Sequence, residues 1–118
     1  MLNSVLPVHL RCEYLKEPLG IDEPQPRLSW TLESVRRNVH QSAYQIEVSS
    51  ADGALCWDTG RVPSDAMAQI VYAGQALVSR MRYDWRVRVW DESGNVSDWS
   101  EVAHWEMGLL EASDWQAQ

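Results

Sequence analysis

Phenylalanine is missing from this chain altogether, and its 118 residues include only two cysteines, five prolines and six glycines. Without Phe, the large side chains of any core must come from seven tryptophans and four tyrosines. The cysteines, Cys12 and Cys56, lie in CEY and LCWD contexts without metal-type spacing. Two buried reduced thiols are the expectation, and one bridge between them is the arrangement that competes with it. Positive charge is scarce too. Ten Lys and Arg against seventeen Asp and Glu leave a net charge of -7, which disfavours phosphate backbones and anionic bilayers as partners. No window approaches a membrane span, and the N-terminal MLNSVLPVHLRCEYLKE lacks the charged n-region and long apolar stretch of a signal peptide. These absences imply no nucleic-acid partner, no membrane partner and a cytoplasmic location.

What is present is alternation. The length suits one domain, and short runs of period two, separated by turn residues, recur where helical periodicity is hard to find. Strands are expected at 8–14, 27–33, 42–50, 54–60, 69–74, 83–91 and 101–107. The inward sets are Leu28, Trp30 and Leu32; Tyr44, Ile46 and Val48; Leu55 and Trp57; Tyr83, Trp85, Val87 and Val89; and Ala103, Trp105 and Met107. Between the first two strands, LKEPLGIDEPQP has three prolines and a glycine that forbid regular pairing. ADG (51–53) and ESGN (92–95) are turn signals. Seven strands in about a hundred residues indicate an all-β fold, a two-sheet antiparallel sandwich of immunoglobulin or fibronectin type III kind.

Residues that could carry chemistry are few. A general acid and base for glycoside inversion need two carboxyl groups ~6.5–9.5 Å apart across a cleft, one with a raised pKa. The acidic pairs Asp22–Glu23 and Asp91–Glu92 fall in a proline-rich loop and a hairpin turn, where turn chemistry accounts for them. His9, His40 and His104 are solitary, so no metal site is expected. No phosphate loop or nucleophile elbow occurs, and no cofactor is expected.

The densest stretch is YDWRVRVWDESGNVSDWS (83–100). Arg86, Arg88 and Trp90 alternate outward on its strand, on the same exposed face as Glu47 and Glu106, which predicts a cross-strand charge ladder. Trp99 is placed to stack on one of the guanidinium groups. Arg86, Arg88, Trp90 and Trp99 therefore form a candidate exposed aromatic and arginine stack. Exposed indoles also serve sugar recognition, which leaves Trp90, Trp99 and Trp115 open to weak glycan contact. A domain interface uses the same kind of flat apolar surface.

Leu77, six residues before Tyr83, resembles the tyrosine corner of fibronectin type III domains, and Trp30 fits that family's core tryptophan. VSDWS (96–100) after an Arg-x-Arg strand resembles the tryptophan–serine motif of cytokine receptors, a protein-interaction alternative. It departs from that motif at Val96, and the chain lacks the paired cysteines of a receptor ectodomain. A resemblance over nearly the whole chain is carried by PLGIDEPQPRLSW (18–30), QSAYQIEVSS (41–50), WDTGRVPSD (57–65), YAGQAL (72–77), residues 83–100 and the tail MGLLEASDWQAQ (107–118). These segments resemble the N-terminal fibronectin-like domain of bacterial α-L-rhamnosidases of glycoside hydrolase family 78. The resemblance implies a non-catalytic sandwich over 1–107 and a tail over 108–118 leading to a further β domain. It also implies an inverting catalytic (α/α)₆ barrel downstream. The implied partners are that β domain and the catalytic domain of the same chain, with Leu109, Leu110 and Trp115 as candidate interdomain contacts.

Overall fold

The computed structural model describes residues 5–13, 25–34, 39–78 and 80–108. Seven strands run in order as β1 (Val5–Cys12), β2 (Arg27–Ser34), β3 (Ala43–Ser50), β4 (Leu55–Asp58), β5 (Ile70–Val71), β6 (Arg82–Trp90) and β7 (Ala103–Glu106). They form two antiparallel sheets, one of three strands ordered β1-β2-β5 and one of four ordered β4-β3-β6-β7. This is the expected sandwich. The alternating inner faces of β2, β3, β6 and β7 meet between the sheets, so Leu28, Trp30, Ile46, Val48, Trp85, Val87, Val89 and Trp105 are all buried.

Tryptophan and tyrosine replace phenylalanine in this core. Tyr72, Tyr83, Trp85, Trp105 and Trp30 are each exposed by no more than 3%. Tyr83 stacks on Trp105 with ring centroids 5.6 Å apart, and Tyr72 meets Trp57 edge-on at 5.1 Å. Several polar tips in the core find partners, as buried tyrosine and tryptophan usually do. Trp30 Nε1 donates to Gln41 Oε1 at 3.0 Å, and the Tyr72 hydroxyl donates to the Gln75 carbonyl. The main-chain N–H of Val78 donates to the Tyr83 hydroxyl at 2.7 Å, which is the tyrosine-corner bond that Leu77 and Tyr83 suggest.

Four features depart from simple alternation. β1 begins at Val5 and includes Pro7, which an edge strand tolerates because proline lacks only the N–H that a second neighbour would need. A register shift between Val8 and Arg11, with His9 at φ 54°, bulges the same strand. β5 is only two residues long. In β4 the register against β3 slips, with Ser49 opposite Leu55 and Val48 opposite Trp57, so Cys56 is the extra residue. The expected pairing of Leu55 with Trp57 on one inner face is therefore wrong. Leu55 turns outward at 52% exposure while Trp57 packs on the core.

Both cysteines are free, Cys12 buried and Cys56 only half-buried, so the expectation of two buried thiols holds for Cys12 alone. Burial, with Glu13 beside it, pushes the Cys12 thiol up to about 12.

Candidate functional site

The strip over the outer face of the four-stranded sheet begins with β-register. Gln45 faces Arg88 and Glu47 faces Arg86 across β3 and β6, because both strands alternate about a common buried set. Arg86 places Nε and Nη2 on Glu47 Oε1 at 3.0 and 2.7 Å. Arg88 Nε donates to Gln45 Oε1 at 2.9 Å, and Gln45 Nε2 passes the chain on to Asp58 Oδ1 at 2.9 Å. That bond from Gln45, the Gly60 N–H and the nearby Arg88 charge hold the Asp58 carboxyl below the ordinary carboxylate range. Glu106, expected on this face, stands opposite Arg82 at the far end of β7.

The aromatic half of the strip comes from the segment after β6. Its chain bends back at the β6–β7 turn, where Asp91 Oδ1 accepts from the N–H groups of Ser93 and Asn95 and Gly94 takes φ 84°. Val96 to Ser100 then runs beside β6 as an added ladder. Ser97 N donates to Val89 O at 2.7 Å and Ser100 N to Val87 O at 2.9 Å. In return the Val89 and Val87 N–H groups donate to the Ser97 and Ser100 hydroxyls at 3.0 and 3.1 Å. Two serines three residues apart thus stand in for a neighbouring strand, and they deliver Trp99 to the arginines.

The Arg86 guanidinium lies over the Trp99 ring at 4.1 Å and that of Arg88 at 4.6 Å. Arg88 is also 5.5 Å from the Trp90 ring, and Arg61 covers Trp90 at 5.0 Å. The result is a run of alternating cations and rings, Arg61, Trp90, Arg88, Trp99 and Arg86, ended by Glu47. Three like charges tolerate this spacing because each has an indole face or an acceptor to offset repulsion.

The structure thus brings Arg86, Arg88, Trp90 and Trp99 together. Leu109, Leu110 and Trp115 lie outside the described residues. Sequence reasoning missed Arg61, Gln45 and Asp58 as members of the strip. It also missed Gln41, a buried side chain that accepts from Trp30 and donates to the Ser64 and Ala66 carbonyls at 2.9 and 2.8 Å. The serines of VSDWS were the readable signal for the ladder, since hydroxyls at that spacing supply backbone-like acceptors.

Gln45, Glu47, Asp58, Arg86 and Arg88 are joined by hydrogen bonds across the strip, and none of the residues named in it is a Ser, Thr, Cys, Lys or His. A separate groove of about 400 Å³ runs between the outer edges of β1 and β7, lined by Leu6, Val8, Leu10 and Val102 with His9 and Glu33. No tryptophan or tyrosine lines it. Among the described residues no group of three or more His, Cys, Asp or Glu is placed to hold a metal ion.

Comparison with known proteins settles what the sandwich is. Residues 7–111 match the family described as the Rha78A-like, N-terminal immunoglobulin domain. The chain belongs to this family. It is 46% identical over 110 residues to an α-L-rhamnosidase of Streptomyces avermitilis, covering 90% of this chain and 11% of that protein. It superposes on the crystal structure of Streptomyces avermitilis α-L-rhamnosidase complexed with L-rhamnose with a TM-score of 0.91. Identity there is 42%, and the match covers 98% of this chain and 12% of that one. The α-L-rhamnosidase from Dictyoglumus thermophilum matches with a TM-score of 0.88 and 38% identity, over 99% of this chain and 14% of that one. The domain therefore spans only about an eighth of the relatives it matches, and it corresponds to their N-terminal immunoglobulin-like domain.

Proposed function

We propose that this domain is the non-catalytic, structural N-terminal part of a larger protein that hydrolyses terminal α-L-rhamnosides. The observation that carries this reading is the 46% identity to an α-L-rhamnosidase confined to 11% of that relative's length. The family resemblance implies that the inverting acid and base belong to a downstream (α/α)₆ barrel, outside these residues. The carboxyl groups here support that division of labour. Glu13, Asp52 and Asp58 are all held below their ordinary range by hydrogen bonds, whereas a general acid needs a raised pKa.

A scaffold role fits the outer strip, whose hydrogen bonds and cation–ring contacts tie β3, β4 and β6 to the segment after β6. Sugar binding draws less support, because a sugar ring stacks on an open indole face and guanidinium groups stand over both Trp90 and Trp99. The test compares aryl α-L-rhamnoside hydrolysis and thermal unfolding of the full-length protein with those of a version lacking residues 1–107. The expected result is an active full-length protein and a shortened one that melts lower. An inactive full-length protein removes the rhamnosidase assignment, and an unchanged melting temperature removes the scaffold role.

A further inference from the structure

We infer that the Asp52–Gly53 pair in the β3–β4 hairpin is a site of spontaneous isoaspartate formation that the folded turn holds shut, so that the modification enters only when the hairpin opens. Of the six glycines only Gly53 follows an aspartate, and none follows an asparagine. The pair matters because glycine has no Cβ to hinder attack of its amide nitrogen on the preceding side chain. In that reaction the Gly53 nitrogen bonds to Asp52 Cγ, the amide proton and the carboxyl hydroxyl leave together as water, and a cyclic imide closes. Water then opens the imide at either carbonyl. One opening restores aspartate, and the other routes the main chain through Cγ as isoaspartate. Water is the only other reactant, so the chemistry is independent of what the rest of the protein hydrolyses. Asp52 and Gly53 are both exposed, and a Cβ at Gly53 would meet nothing within 4 Å, so water reaches the pair freely.

The turn ties up both reacting groups. Gly53 N donates to Ser50 O at 2.9 Å, which occupies the proton that the nitrogen must lose. Asp52 Oδ1 accepts from the Ser50 hydroxyl and from Ala54 N, the latter at 3.2 Å. These bonds, that of Ser50 first, hold the Asp52 carboxyl below the ordinary carboxylate range, and an ionised carboxyl lacks the hydroxyl that has to leave. Ser50 is itself fixed, being buried and paired with Tyr83 on β6, and its own N–H donates to Ala54 O at 2.9 Å. One anchored residue thus engages the nucleophile through its carbonyl and the electrophile through its hydroxyl. Freeing both requires these bonds at the end of the sheet to part, so the rate follows the population of the opened hairpin. The product carries an extra methylene in the main chain and its carboxylate on a shorter arm, so the bonds from Ser50 and Ala54 are not remade in the same geometry.

The test incubates the full-length protein at neutral pH, native and in concentrated urea, and counts isoaspartate at position 52 by separating the two isomeric peptides after digestion. The imide is followed as the loss of one water. The native protein is expected to react about tenfold more slowly than the unfolded chain, or slower still. Ser50→Ala removes the hydroxyl and keeps the main-chain bonds, and it should raise the native rate about fivefold. Gly94→Ala loosens the other hairpin without touching these groups and should leave the native rate unchanged. Absence of isoaspartate in urea removes the site, and equal rates in urea and in the native protein remove the guard. That comparison needs no variant, so it decides the matter even where Ser50→Ala unfolds the domain. If Ser50→Ala stays folded and leaves the rate unchanged, or Gly94→Ala raises it as much, the Ser50 bonds do not hold the pair and the proposal fails.

Discussion

Tyr83 holds the main chain of Val78 through a 2.7 Å bond to its hydroxyl while its ring stacks on Trp105. One side chain thereby ties the β5–β6 connection to the core between the sheets. Tyr83→Phe keeps the ring and removes the acceptor, leaving a partly buried N–H without it. The expected loss is ~1–2 kcal/mol, read as a lower urea midpoint with an unchanged slope.

Trp99 is shared by two guanidinium groups, so its loss exposes two cations to each other as well as to water. Cation–π contacts at half-exposed sites contribute ~0.5–1 kcal/mol each. Trp99→Ala should therefore cost ~1–3 kcal/mol once lost packing is included, and Trp99→Phe should recover part of it. Urea unfolding of both variants checks the order. Equal losses for Phe and Ala would show that the ring face contributes nothing.

Glu13 accepts from Arg27 through the guanidinium at 3.0 and 3.1 Å and through the main-chain N–H at 2.7 Å. The Arg27 side-chain bonds are the largest reason its carboxyl is held below the ordinary 4.5. A carboxyl with a depressed folded pKa stabilises the fold above its unfolded pKa and loses that contribution as pH falls through the folded value. The pair's contribution, up to ~1 kcal/mol for a partly exposed ion pair, should thus be whole at neutral pH and fade below about pH 4. Glu13→Gln should lower stability at pH 7 and flatten the acid limb of a stability–pH curve. An acid limb identical to that of the unsubstituted chain would count against the pair.

The two thiols should differ sharply. Cys12 is 1% exposed and its thiol is pushed up to about 12, so almost no thiolate exists at pH 8 and none is accessible. Cys56 sits half-buried on the bulged edge strand. A maleimide count at pH 8 is expected to find one reactive thiol in the native protein and two in denaturant.

Much of this architecture is legible in the sequence because its central strands keep period two without interruption. β6 is read nearly to the residue, and Tyr44, Ile46 and Val48 fall inward as alternation requires. Alternation fails where one residue is inserted. At Cys56 the bulge reverses the facing of Leu55, and no local residue type announces it. The candidate strip is half legible. Arg86, Arg88, Trp90 and Trp99 lie within fourteen residues of one another, whereas Arg61 reaches Trp90 from a connection that only the folded chain brings near. Gln41 is hidden for a similar reason, since one polar residue in a loop gives no sign that it satisfies Trp30.

Gly74 and Gly94 resist substitution for opposite reasons, and this separates packing from backbone strain. A Cβ at Gly74 would lie against Trp57 Cβ, 2.6 Å from the Cys56 carbonyl oxygen and 2.7 Å from the Tyr72 hydroxyl. Two of those three atoms are backbone or Cβ, so no rotamer change clears them. Gly74→Ala should cost ~1–3 kcal/mol or more by overpacking. At Gly94 a Cβ meets nothing within 4 Å, but φ is +84°. There Ala should cost ~1–2 kcal/mol through conformation alone, and Asn, which tolerates left-handed backbone, should recover much of it. Gly74→Asn should be no better than Gly74→Ala, because its Cβ meets the same atoms. Measuring all four variants by urea unfolding decides the matter. Rescue by Asn at position 94 but not at 74 is the expected pattern, and rescue at both would mean that Gly74 is kept for its backbone angles and not for the contact between β4 and the loop after β5.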